Sequence, residues 1–172
     1  MNLILCGMMG SGKTTVGLKI AEISGRKCYD TDGVIVERYG SIAEIFARYG
    51  EARFRALEKE IVRELTEQDQ LVLSTGGGLV LKQENVELLK KNGKIVYLRA
   101  RAETLCARLQ GDRARPLLQS SGETLQEKVE RLLAERAHVY ERVADCVVDV
   151  DEKTHCNSKS DSARGRFFVG CI

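Results

Sequence analysis

At 172 residues, with 43 % apolar and 30 % charged residues, the chain has the makeup of one globular domain long enough to bury a core. Its formal net charge of +2 comes from the last eighteen residues, where Lys159, Arg164 and Arg166 face only Asp161, so residues 1–154 are neutral overall. That balance argues against a nucleic-acid or membrane surface built on bulk charge, and no apolar run approaches membrane-spanning length.

The first apolar strand, Leu3–Cys6, leads into Gly7 to Thr14, which read G-M-M-G-S-G-K-T, a complete G-x-x-x-x-G-K-[ST] phosphate loop. A helical pattern, Lys13–Ser24, begins inside the loop. A strand that delivers the loop and a helix that starts within it aim backbone N–H groups and a helix N-terminus at one anion. Gly7, Gly10 and Gly12 let the backbone come close to phosphate, Lys13 can reach the β- and γ-phosphates, and the Thr14 hydroxyl can hold magnesium. The competing reading is a glycine-rich turn without a ligand, which leaves the filling of all four fixed positions unexplained.

A second strand, Lys27–Tyr29, is followed by Asp30-Thr31-Asp32. In an extended stretch both carboxylates would point the same way. A magnesium-nucleotide enzyme needs a carboxylate near the metal, and transfer to an alcohol needs one to hold or deprotonate the hydroxyl. One of the two is equally suited to cap the next helix, Gly33–Tyr39. Helices Ile42–Arg48 and Glu51–Glu67 come next; the second carries Phe54, Leu57, Ile61 and Leu65 at core spacing. Arg55 and Glu58, three apart, share a face beside that stripe, either as part of a site or as a surface ion pair of little value.

Strand Leu71–Ser74 ends in Thr75-Gly76-Gly77-Gly78, whose bare backbone could bind a carboxylate, phosphate or hydroxyl, or could serve as a flexible turn. Helix Gln83–Lys91, strand Ile95–Leu98 and helix Ala102–Leu109 follow. Gly111 to Leu118 holds the only proline, Pro116, and the arginines Arg113 and Arg115. This segment suits a lid that closes over nucleotide and brings arginine to the phosphate, although a solvated connector could share its composition. In the last helix, Leu125–Val143, Arg136 sits among Leu132, Leu133, Val139 and Tyr140, so it must snorkel out or meet an anion. Strand Cys146–Val150 closes the pattern, and His155 to Gly165 is a polar, serine-rich tail ending in Phe167-Phe168-Val169.

Five strands joined by helical crossovers predict an α/β fold, a mainly parallel five-stranded sheet with helices on both faces. Ligands in such sheets bind beyond the carboxyl ends of the strands. The phosphate loop, the aspartate pair and the triple glycine should therefore gather on one rim. None of the six cysteines forms a C-x-x-C pair, and Cys6, Cys28 and Cys146 sit in or beside strands as small apolar filler, which fits a reducing cytoplasmic setting.

Taken in order, G-M-M-G-S-G-K-T-T at 7–15, D-T-D at 30–32, I-F-A-R-Y-G-E-A-R-F-R at 45–55, S-T-G-G-G at 74–78, R-P-L-L at 115–118 and E-R-A-H-V-Y at 135–140 resemble the shikimate kinases. These belong to the P-loop kinase group that includes nucleoside monophosphate kinases. The resemblance runs from about Asn2 to about Val150. It implies transfer of the γ-phosphoryl of ATP, with Mg2+, to the 3-hydroxyl of shikimate in aromatic amino-acid synthesis. A monomer with no nucleic-acid or membrane partner is expected. The resemblance further implies that Gly10, Ser11, Gly12, Lys13, Thr14 and Thr15 hold the phosphates, that Thr14 and Asp30 serve the metal, and that Lys13, Asp32 and Arg115 are catalytic. Arg55 and Arg136 would bind the substrate carboxylate, Asp32 the ring hydroxyls, and Gly76, Gly77 and Gly78 further substrate atoms. Glu58 would orient the arginine, and Phe46 and Phe54 would line the pocket. Arg108 would lie against adenine. The expected layout is a single kinase domain over 1–154 with a lid at about 110–124, and an atypical tail over 155–172. The family's closing helix is replaced here by that tail, and Lys153 stands where an arginine often lies in the adenine loop. A kinase for another small acceptor, such as gluconate or a nucleotide, and a nucleotide-binding module without turnover are the competing functions. Two arginines and a triple glycine suited to a compact acid speak against the first, and the occupied catalytic positions against the second.

Overall fold

The computed structural model describes residues 1–110 and 123–151. Most of the expected lid with Arg115, Lys153 and the tail over 155–172 lie outside the described residues.

A five-stranded sheet forms the centre: β1 (Asn2–Cys6), β2 (Lys27–Asp30), β3 (Leu71–Ser74), β4 (Gly93–Arg99) and β5 (Cys146–Asp149), in the order β2-β3-β1-β4-β5. Each neighbouring pair is parallel. β1 lies in the middle and is buried along its whole length, which matches the apolar run Leu3–Cys6 that follows Asn2. The helices are α1 (Lys13–Ser24), α2 (Thr31–Tyr39), α3 (Ile42–Thr66), α4 (Gln83–Lys91), α5 (Ala102–Leu109) and α6 (Leu125–Val143), with a short 3-10 turn at Leu79–Leu81.

Alternation along β1 splits the core in two. Ile4 and Cys6 join Leu57, Ile61, Leu73, Ile95, Tyr97 and Tyr140 on the face covered by α3, α4 and α6. Leu3 and Leu5 join Val72, Val96 and Leu98 on the other face, against Val16, Ile20 and Ala21 of α1. Each fully buried aliphatic side chain contributes roughly 1.5–3 kcal/mol to holding the layers together.

The register levels the strand ends that matter. Asp30 of β2 pairs with Ser74 of β3, and Ser74 pairs with Leu5 of β1. The segments that follow these three strands therefore emerge side by side, as the strand–helix alternation predicts.

Several element bounds differ from the sequence reading by one or two residues. β4 begins at Gly93 rather than Ile95, and α2 begins at Thr31 rather than Gly33. The two helices expected on either side of Gly50 are continuous by hydrogen bonding, but Gly50 itself has φ 75° and ψ 174°, a non-helical joint. Left-handed φ is what glycine tolerates and other residues resist.

Candidate active site

The phosphate loop gets its shape from glycine. Gly10 and Gly12 take φ of 80° and 88°, and Gly12 is the residue immediately before α1. Lys13 folds back over the loop, donating from Nζ to the Gly7 and Met8 carbonyls at 3.0 Å each. The Ser11 hydroxyl is buried and has no hydrogen-bond partner among the described residues. A buried polar atom left in that state is costly, and a ligand rich in acceptor oxygens would relieve it. The loop therefore fits a phosphate chain.

The aspartate pair does not lie in the extended geometry expected from sequence. Asp30 is the N-cap of α2, its Oδ1 accepting from the N–H groups of Asp32 at 3.1 Å and Gly33 at 3.2 Å. That capping starts the helix two residues early and puts Asp32 in its first turn, so the two carboxylates part company. The capping alternative thus holds for Asp30, yet the same residue also serves the site. Its Oδ2 accepts from the Thr14 hydroxyl at 2.6 Å, and the Ser74 hydroxyl lies 3.3 Å from Thr14 Oγ1. All donors here are hard oxygens, from two hydroxyls and a carboxylate. That set suits a small cation such as Mg2+, which keeps few protein ligands and completes its shell with phosphate and water. No cluster of three or more His, Cys, Asp or Glu side chains forms an all-protein metal cage among the described residues.

Asp32 instead faces the glycine run. A Cβ built on Gly76 would stand 2.3 Å from Asp32 Oδ1, and the Gly76 N–H donates to the Thr31 hydroxyl at 2.9 Å. Together these groups frame a cleft of about 310 Å³ lined by Gly10, Gly12, Lys13 and Thr14 of the loop, Asp30 and Asp32, Gly76 and Gly77, and Arg108. Thr15 lines it as well. The volume falls at the small end of ligand sites. Arg108 reaches the same rim from α5, donating to Val150 O at 2.6 Å and to Gly10 O at 3.4 Å.

The remaining candidates stand just beyond the cleft. A Cβ on Gly78 would lie 2.8 Å from Nη1 of Arg55, and one on Gly77 would lie 3.9 Å from Nη1 of Arg136. Two arginines from different helices thus flank two consecutive glycines. Arg55 donates to Glu58 at 2.7 Å and to Glu51 at 2.9 Å, and its guanidinium sits 5.4 Å over the Phe54 ring. Phe46 packs beside Phe54, with centroids 5.0 Å apart, while Phe54 itself is a core residue. The surface-pair alternative for Arg55 and Glu58 fails, because Glu58 is 1 % exposed. Burial pushes the Glu58 carboxyl above its usual range, and the Arg55 guanidinium pulls back without cancelling it. Four residues at the site carry no assigned role in the sequence reading, although each falls inside a motif quoted there: Thr31, Ser74, Thr75 and Tyr140, whose hydroxyl donates to Gly77 O at 2.6 Å. In the sequence Tyr140 shows as part of an apolar stripe and as the end of the E-R-A-H-V-Y motif, with nothing to mark its hydroxyl.

A phosphate loop at the end of a central parallel strand, the hydroxyl–carboxylate corner of Thr14, Ser74 and Asp30 beside it, and an adjoining cleft give the layout of a P-loop kinase. The shikimate kinase family model matches residues 9–163. Shikimate kinases of Chromobacterium violaceum and Pelotomaculum thermopropionicum are 43 % and 46 % identical to the chain, covering 88 % and 86 % of it and 82 % and 85 % of their own lengths. A structure of the Acinetobacter baumannii shikimate kinase in complex with shikimate superposes with a TM-score of 0.83 at 40 % identity, covering 88 % of this chain and 84 % of that one. The Bacteroides thetaiotaomicron shikimate kinase gives a TM-score of 0.80 at 34 % identity, covering 90 % and 89 %. The chain belongs to the shikimate kinase family, whose members use ATP with Mg2+.

Proposed function

We propose that the cleft transfers the γ-phosphoryl of ATP to the 3-hydroxyl of shikimate, giving shikimate 3-phosphate and ADP. The oxygen of that hydroxyl forms the new bond to phosphorus, the bond from γ-phosphorus to the bridging oxygen breaks, and the hydroxyl proton passes to Asp32 or to solvent. Gly10 to Thr15 hold the phosphates, with Lys13 set where charge builds on the transferred group. Thr14 and Asp30 would hold the magnesium ion, which when bound neutralises charge on the β- and γ-oxygens.

Asp32 orients the acceptor hydroxyl. Phosphoryl transfer is largely loose, so the proton can leave late and orientation is the larger part of this role. Arg55 and Arg136 take the substrate carboxylate, Arg55 being held by Glu58. The triple-glycine backbone lets a compact ring approach, and among the described residues the Gly77 and Gly78 N–H groups have no protein acceptor, so they remain for substrate oxygens. Phe46 and Phe54 back this pocket and Arg108 flanks adenine; Arg115 and most of the segment 110–124 assigned as a lid lie outside the described residues. Lys153 is assigned to the adenine loop; it and residues 155–172 lie outside the described residues.

The observation that carries this reading is the meeting of Lys13, Asp32 and Gly76–Gly77 in one cleft, with Arg55 and Arg136 against the next glycines. ADP release measured with shikimate, gluconate and AMP, each with and without Mg2+, tests it. Turnover only with shikimate and Mg2+ is the expected result. Equal or greater turnover with gluconate or AMP would assign the chain another acceptor. We also assign a monomer in the cytoplasm. The four described cysteines, all free thiols, suit a reducing compartment, and among the described residues no helix is long and apolar enough to cross a membrane.

A further inference from the structure

Tyr140 follows Arg136 by four residues on α6, so the two side chains leave the helix on the same side. Tyr140 is 0 % exposed, and its ring packs on Tyr97 of β4 with centroids 5.2 Å apart. The hydroxyl donates to the Gly77 carbonyl at 2.6 Å. A Cβ on Gly77 would stand 3.8 Å from that hydroxyl and 3.9 Å from Arg136 Nη1, so hydroxyl, guanidinium and glycine form one corner. Burial pushes ionisation of Tyr140 up to about 12, with Arg136 acting in the other direction, so the phenol is a neutral donor across the working pH range.

No cis peptide bond occurs among the described residues. In a trans peptide the C=O and N–H point opposite ways. By holding the Gly77 oxygen on the α6 side, Tyr140 turns the Gly78 N–H away from α6. Gly78 is also the residue against which the Arg55 guanidinium packs. One buried hydroxyl thus governs the Gly77–Gly78 peptide and touches the surroundings of both arginines.

We propose that Tyr140 is a positioning residue for the acid-binding half of the cleft: its hydroxyl locks the Gly77–Gly78 peptide and backs Arg136, so the carboxylate site is shaped before substrate arrives. This rests on the assignment of Gly77 and Arg136 to shikimate. Tyr140 touches neither substrate nor nucleotide in this role and acts through those two residues.

Tyr140→Phe removes one oxygen and keeps the ring. Loss of a buried hydrogen bond should raise the shikimate KM about five- to tenfold, with kcat and the ATP KM within about twofold of the parent. Tyr97→Phe, which trims the neighbouring buried ring in the same way, should leave the shikimate KM unchanged. Arg136→Ala is measured beside them. If Arg136→Ala raises the shikimate KM and Tyr140→Phe does not, the proposal falls while the substrate assignment stands. If neither variant changes it, both fall. If Tyr140→Phe alters both KM values and kcat together, or Tyr97→Phe matches it, the hydroxyl is merely structural and the proposal is overturned. Should Tyr140→Phe be unstable at the assay temperature, isothermal calorimetry with shikimate and with ATP at a lower temperature, where circular dichroism shows the variant folded, decides between the same outcomes.

Discussion

Gly76 and Asp32 occupy one space: the glycine has no side chain because Asp32 Oδ1 lies where its Cβ would be, at 2.3 Å. Gly76 is buried, and its N–H is tied to Thr31, so the backbone cannot easily retreat. Gly76→Ala should therefore push the carboxylate aside rather than unfold the domain. Misplacing a reactive group by about 1 Å can cost about 100-fold. We expect kcat to fall at least tenfold, with circular dichroism unchanged. A fully active Gly76→Ala would mean that the Asp32 position is irrelevant to turnover.

Asp32→Asn keeps the shape and removes the charge. Its kcat should drop by a larger factor than its shikimate KM rises, on the order of 100-fold if the carboxylate serves as base and less if it chiefly orients. Steady-state kinetics with shikimate varied at saturating ATP gives both numbers. Equal turnover by the variant would remove Asp32 from the catalytic role.

Arg136→Ala should weaken shikimate binding by roughly tenfold to 100-fold, the range for loss of a charged hydrogen-bonding partner, and leave the ATP KM unaltered. Isothermal titration with each ligand separates the two. Loss of ATP affinity instead would put Arg136 in the other subsite.

Glu58 gives a test by pH. Burial raises its carboxyl pKa above the ordinary 4.5, with Arg55 only partly offsetting the shift. The folded state then holds this proton to higher pH than the unfolded chain does. Between the two values the native state binds more protons, so the contribution of Glu58 to stability is present below 4.5 and is lost as pH rises through the folded value. Glu58→Gln should flatten that part of the stability curve. Urea unfolding of parent and variant at several pH values above 4.5 checks the slope, and parallel curves would contradict the assignment. Glu58→Ala is a harsher change: it leaves Arg55 with only the exposed Glu51 as partner and should lower the urea midpoint further than Glu58→Gln does.

Much of the architecture was legible because it rests on local chemistry. The phosphate loop carries its own strand and helix, and the apolar runs of β1 and β3 match burial on both faces. The common rim followed from parallel connectivity. What the chain did not disclose depends on contacts distant in sequence. The D-T-D stretch reads as extended until Asp30 is seen to capture two N–H groups ahead of it, which swings Asp32 toward Gly76. Arg55 and Glu58 look like a surface pair until the fold buries Glu58. Tyr140 looks like core filler until the glycine turn, 63 residues away in sequence, meets its hydroxyl.

Since every strand of the sheet runs the same way, the first residue and the cleft lie at opposite ends of β1. The Met1 ammonium pairs with Asp69 at that far end. A purification handle or surface linker joined ahead of Met1 would give up this exposed ion pair, a minor loss, and leave the open mouth unobstructed. Immobilised through that end, the enzyme would face its reactants.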